Sequence, residues 1–118
     1  MPGTPQTRGM IGAAELAAMK PEAVLVNFAR ADSVDQDALV EALRERRIAA
    51  AVLDLTDPEP LPPDHALWSL DNAHVTMHLS GIPTAASQAR AAERFLRNCA
   101  RFRAGEPLEA QVDLARGY

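Results

Sequence analysis

Apolar and polar positions fall into blocks along this chain, and the blocks mark out its elements. "AVLVNF" (23 to 28) and "AAAVLDL" (49 to 55) are short apolar runs, and "AHVTM" (73 to 77) is a third. Runs of this length and composition predict strands, and the absence of alternation predicts a parallel sheet covered on both faces. Between the first two runs, "SVDQDALVEALRERR" sets Leu39 and Leu43 on one face, acids in the first turn, and Arg44, Arg46 and Arg47 near the end. That pattern predicts an amphipathic helix with Ser33 or Asp35 as N-cap. A short alanine-rich helix, "AAELAAMK" (13 to 20), is stopped by Pro21. A long helix is predicted from about Thr84 to Ala104, with Ala91, Phe95, Cys99 and Phe102 in one stripe and Gly105 as its stop. Residues 105–118 read as an irregular tail.

The order helix, strand, helix, strand, strand, helix predicts an α/β layer structure with a mainly parallel sheet. In such sheets ligands bind beyond the carboxyl ends of the strands. The first strand ends at Asn27 and Phe28 and delivers Arg30; the second ends at Asp54 and leads to Glu59; the third ends at Met77 and delivers His78. An arginine, two acids and a histidine are therefore expected at one sheet edge. Glu59 lies in a stiff loop, since Pro58, Pro60, Pro62 and Pro63 fix φ and remove backbone donors around it.

Composition narrows the picture. With 118 residues the chain is about one domain long. Sixteen acidic against twelve basic residues give a net charge of −4, and no basic cluster is interleaved with aromatics, so nucleic acid is not an expected partner. No apolar run approaches the roughly 20 residues of a membrane span, and the first residues lack the apolar core of a signal peptide, so a cytoplasmic location is expected. The single cysteine, Cys99, excludes an internal disulfide framework, and its place on an apolar helix face predicts a buried, inert thiol.

A histidine beside a carboxylate is a proton-transfer unit, because the carboxylate orients the ring and fixes its tautomer. An arginine nearby offers a planar fork for a substrate carboxylate. Together these groups suit a small 2-oxo or 2-hydroxy acid, and since none is a redox agent the site needs a hydride source or another reactive partner. Taken singly, each residue also has an ordinary structural role: Arg30 as a surface arginine, Asp54 bonded to a neighbouring loop, Glu59 solvated, His78 in a loop. A metal site is not expected. His74 and His78 lie on a predicted strand roughly 13 Å apart, and no Cys pair or His-Glu-x-x-His motif is present.

The ordered set "MKPEAVLVNFAR", "LDLTDPEPLP" and "HLSG" resembles the second half of the cofactor domain of the D-isomer-specific 2-hydroxyacid dehydrogenases, glyoxylate/hydroxypyruvate reductases among them. The resemblance extends over nearly the whole chain. It implies part of a Rossmann-like, doubly wound sheet and an NAD- or NADP-dependent oxidoreductase acting on a small 2-oxo or 2-hydroxy acid. Arg30 resembles the arginine that binds the substrate carboxylate, Glu59 the acid supporting the catalytic histidine, and His78 the acid/base. Asp54 resembles the residue contacting the nicotinamide carboxamide; Phe28, Ser80 and Gly81 match cofactor-lining positions; Pro2, Thr4 and Pro5 match the loop over the cofactor. Glu59 argues against the formate dehydrogenase branch, where a glutamine partners the histidine. Ala31 replaces a usual glycine, which implies strain if that position needs positive φ, and Met77 replaces a common proline.

The chain contains no G-x-G-x-x-G loop and no separate substrate domain. The resemblance therefore implies an N-terminally truncated form, inactive alone, of an enzyme that is a homodimer at full length. A second expectation is a non-catalytic fragment or subunit that pairs with a full-length relative. A half sheet with an open edge is expected to be marginally stable or self-associating.

Overall fold

The computed structural model describes residues 3–115 and divides them into two compact units, residues 3–81 and 82–115. In the first, α1 (Ala13–Ala18) leads to β1 (Val24–Asn27), α2 (Gln36–Arg44), β2 (Ala50–Leu53) and β3 (Ala73–Val75). Two 3-10 turns, Ala31–Ser33 and Ala66–Ser69, lie where the sequence reads as loop. The sheet order is β1-β2-β3 and both pairings are parallel, with Val26 opposite Val52 and Val52 opposite His74.

Each element follows from its sequence. Asp35 caps α2 by accepting from Ala38 N, and Leu39, Val40 and Leu43 of its inner face are buried. They form one core with Leu16 of α1, Ala51 and Leu53 of β2, and Leu67. The strands are shorter than their apolar runs, and just beyond them Asp54 N still donates to Asn27 O and Thr76 N to Leu53 O, both at 2.9 Å.

The expectation of a sheet covered on both faces is corrected. Along β1 and β2 burial alternates: Asn27, Ala51 and Leu53 are buried, while Val24 and Val26 are about half exposed, at 50 % and 54 %. The core-facing side chains of this unit gather on one face only, so an apolar run without alternation still has an open side.

In the second unit α3 (Ala85–Ala104) starts at Thr84, whose hydroxyl accepts from Ser87 N, and ends at Gly105 with φ 70°. Residues 105–115 form neither helix nor strand, and Glu109 ties them to the helix through Arg97 at 3.0 Å and the side chain of Asn98. The expectation of a buried thiol fails: Cys99 is exposed, and no residue of α3 is buried, so its apolar stripe lacks the cover that would bury it. Among the described residues no helix is long and apolar enough to cross a membrane, and no cluster of His, Cys, Asp and Glu could hold a metal.

Candidate functional site

The three strands end at one edge of the sheet, and an open cavity of about 700 Å³ lies in the loops that follow them. Arg30, Glu59 and His78 all line it. These residues are far apart in sequence, and the parallel register brings them together.

Each arrives by a different support. Arg30 follows β1, and its carbonyl accepts from Asn27 Nδ2 at 2.9 Å and Ser33 Oγ at 2.7 Å. Asn27 also accepts from Ala29 N at 3.1 Å, so one buried amide fixes the turn that presents the guanidinium. The loop at the start of the described chain passes close by: a Cβ at Gly3 would lie 3.7 Å from Arg30 Cγ. Arg8 of that loop pairs with Asp32 at 3.2 Å at the cavity wall.

Glu59 is held from α2. The Gln36 side chain donates to Asp57 O at 2.7 Å and accepts from Asp57 N at 3.0 Å, gripping the main chain two residues before Glu59. The Thr56 hydroxyl donates to Pro58 O at 3.0 Å, and the Asp57-Pro58 and Glu59-Pro60 peptides are cis.

His78 follows β3 with φ 54°, in the left-handed region. Its Nδ1 lies 3.0 Å from both Oε1 and Oε2 of Glu59, and both side chains are about half exposed. In the neutral ring this geometry favours a proton on Nδ1 and leaves Nε2 as the acceptor; in the imidazolium Nε2 becomes a donor. The strain concern therefore moves. Ala31 is in the right-handed 3-10 turn and has no positive φ, whereas His78 does.

Asp54 is not at the cavity with the other three. It is 7 % exposed, behind the His78 turn, and accepts from Thr76 Oγ1, Leu79 N and Ser80 N. Hydrogen bonding from Ser80, then from Thr76, holds its carboxyl well below the usual carboxylate range. Of the other expected cofactor residues, Ser80 meets Asp54 through its amide, Phe28 is exposed just past β1, Thr4 and Pro5 lie in a turn closed by Thr7 N on Thr4 O, and Gly81 ends the first unit with open space beside it. Pro2 lies outside the described residues. Asn27 and Gln36 were not singled out from the sequence as site residues; the available signal was a polar side chain closing an apolar strand and another in the first turn of α2.

Residues 1–80 match the family model for the NAD binding domain of D-isomer specific 2-hydroxyacid dehydrogenases. The chain is 43 % identical over its full length to an uncharacterized protein in the proB 3' region of Corynebacterium melassecola, covering 38 % of that protein. Among solved structures, it resembles a D-isomer specific 2-hydroxyacid dehydrogenase from Xanthobacter autotrophicus Py2 in complex with NADPH and MES, with 44 % identity and TM-score 0.88 over all of this chain and 48 % of that one. It also resembles the NADPH-dependent glyoxylate/hydroxypyruvate reductase of Sinorhizobium meliloti in complex with NADP and sulfate, with 31 % identity and TM-score 0.83 over all of this chain and 38 % of that one. The chain spans less than half the length of these relatives.

Proposed function

The chain belongs to the D-isomer specific 2-hydroxyacid dehydrogenase family, and from that premise we propose that it supplies the proton-transfer and carboxylate-binding groups for NAD(P)-dependent interconversion of a small 2-oxo acid and its 2-hydroxy acid. The observation that carries this reading is the His78–Glu59 pair, Nδ1 at 3.0 Å from both carboxylate oxygens, in the same cavity as Arg30. Glyoxylate and hydroxypyruvate are the substrates to try first, because the Sinorhizobium meliloti relative is a reductase of both.

Arg30 binds the substrate carboxylate through its fork of N–H donors. His78, as imidazolium, donates the Nε2 proton to the carbonyl oxygen during reduction, and Glu59 stabilises the charged ring through Nδ1. In oxidation the neutral Nε2 takes the hydroxyl proton. The chain's residues fit the nicotinamide end of a dinucleotide: Phe28 offers an exposed ring past the strand edge, and Asp54 with Ser80 closes the turn after β3 at the same sheet edge. A bound nicotinamide supplies the hydride; the NADPH and NADP complexes of the two relatives support NADP in that role, and the NAD binding family model supports NAD.

The test is reduction of glyoxylate and hydroxypyruvate with NADH and NADPH, by the chain and by a chimera in which it replaces the matching part of the Sinorhizobium meliloti reductase. His78→Gln is expected to lower kcat by about 10²- to 10⁴-fold. Equal turnover with and without His78 would overturn the mechanism. A second reading, a non-catalytic partner of a longer relative, is favoured by the half-exposed Val24 and Val26 of β1; it predicts no turnover in the chimera and co-elution of the chain with such a relative.

A further inference from the structure

The turn that carries His78 is tied to a strand at a distance in sequence. His78 has φ 54°, and the two amides after it, Leu79 N and Ser80 N, both point at the carboxylate of Asp54, at 3.1 Å and 2.8 Å. Consecutive N–H groups following a left-handed residue form a concavity for an anion, and here the anion is a side chain of the protein itself. From the other side of His78, the Thr76 hydroxyl donates to the same carboxylate. Asp54 is in turn fixed, because its own N–H donates to Asn27 O at 2.9 Å at the end of the central strand, and it is only 7 % exposed. At least three of about four acceptor positions on the carboxylate are used within the chain.

We propose that Asp54 is a positioning residue for His78: its carboxylate closes the left-handed turn in which the imidazole Nδ1 meets Glu59 and Nε2 is left for the substrate. The inference rests on the proton-transfer reading of His78 for its significance, but its geometry needs no turnover. Asparagine at position 54 would keep the size and lose the function, since an NH₂ group replaces one oxygen and faces a backbone donor.

The experiment uses the full chain labelled with ¹⁵N and no substrate. Two things are read by NMR: hydrogen exchange at the Leu79 and Ser80 amides, and the tautomer of the neutral His78 ring from its long-range ¹H–¹⁵N correlations. The unsubstituted chain is expected to carry the ring proton on Nδ1, with both amides protected. Asp54→Asn is expected to speed exchange at both amides by at least about tenfold and to move the ring toward a mixture of tautomers. Glu59→Ala is expected to change the tautomer while leaving the two amides protected, which separates loss of the partner from loss of the turn. A ring unchanged in Asp54→Asn, whatever the amides do, would overturn the positioning role. If Asp54→Asn fails to fold, Thr76→Val, which removes one donor to the carboxylate, is expected to shift the ring in the same direction by less, and an unchanged ring there overturns the proposal equally. Because no substrate is present, failure here leaves the proton-transfer reading standing, and an inactive chimera leaves this inference standing.

Discussion

At the scale of single residues the charge state of Asp54 has a consequence for stability that is separate from His78. Its folded-state pKa is lowered, chiefly by hydrogen bonding from Ser80 and next by Thr76, so folding favours the ionised form. A depressed pKa contributes stability that is fully present above the unfolded value of about 3.9 and is lost as pH falls through the folded value. Asp54→Asn is therefore expected to be less stable than the unsubstituted chain at pH 7, with the difference narrowing below about pH 4. Urea midpoints at neutral and at acid pH check this, and a difference that stays constant would show that ionisation of Asp54 is not what the fold uses. Residue types and their positions on the strand ends were readable from sequence for Arg30, Glu59 and His78, because a strand that stops delivers whatever follows it to the edge. Backbone conformation at a single position was not. Sequence directs attention to Ala31, where a glycine is usual, yet the left-handed residue is His78, held there by donors to a carboxylate that lies more than twenty residues earlier. No local pattern records such a bond.

At the scale of elements α2 has two duties that its sequence separates cleanly. Leu39, Val40 and Leu43 are buried in the core that also holds Leu16, Ala51 and Leu53, and the N-terminal end carries the cap Asp35 and the clamp Gln36. Gln36 fits because a side-chain amide has both a donor and an acceptor, and the Asp57 peptide groups present the complementary pair. Gln36→Ala is expected to cost about 1 kcal/mol in stability and, by freeing the chain two residues before Glu59, to weaken the Glu59 hydrogen bond to His78. Gln36→Glu should not restore it, since a carboxylate accepts from Asp57 N but repels Asp57 O. Thermal melts and the His78 ring tautomer measure the two effects. A Gln36→Ala protein with an unaltered ring would confine Gln36 to holding the loop. The helices and strands were legible because their apolar patterns differ; of the two caps the sequence offers for α2 Asp35 is the one used, and Gly105 stops α3 where the sequence puts it. The 3-10 turns were not, because Ala31–Ser33 and Ala66–Ser69 are made by short local bonds such as Val34 N on Ala31 O that leave no period to read.

At the scale of the molecule the open side of the sheet governs behaviour in solution. In the first unit the row Val26, Val52 and His74 runs across all three strands, and Val24, Val26 and Phe28 are at least half exposed, Phe28 at 66 %. β1 is also an edge strand, so its unpaired backbone groups lie beside this apolar face. Edge and face together are what soluble chains normally blunt with charge or cover, and neither Lys nor Arg occurs between residues 21 and 29 to do so. The net charge of −4 opposes association only weakly over distances beyond about 10 Å at ordinary ionic strength. The chain is therefore expected to self-associate as its concentration rises, with the sheet face and the β1 edge as the contact. Val26→Lys places a charge in the middle of that face without touching the core, because Val26 points away from Leu53 and Ala51. It should shift the sedimentation distribution toward monomer at equal concentration while leaving the melting temperature within a few degrees. A chain that sediments as one monomeric species at every concentration, or a Val26→Lys protein that associates as strongly as its parent, would show that this face is not the contact.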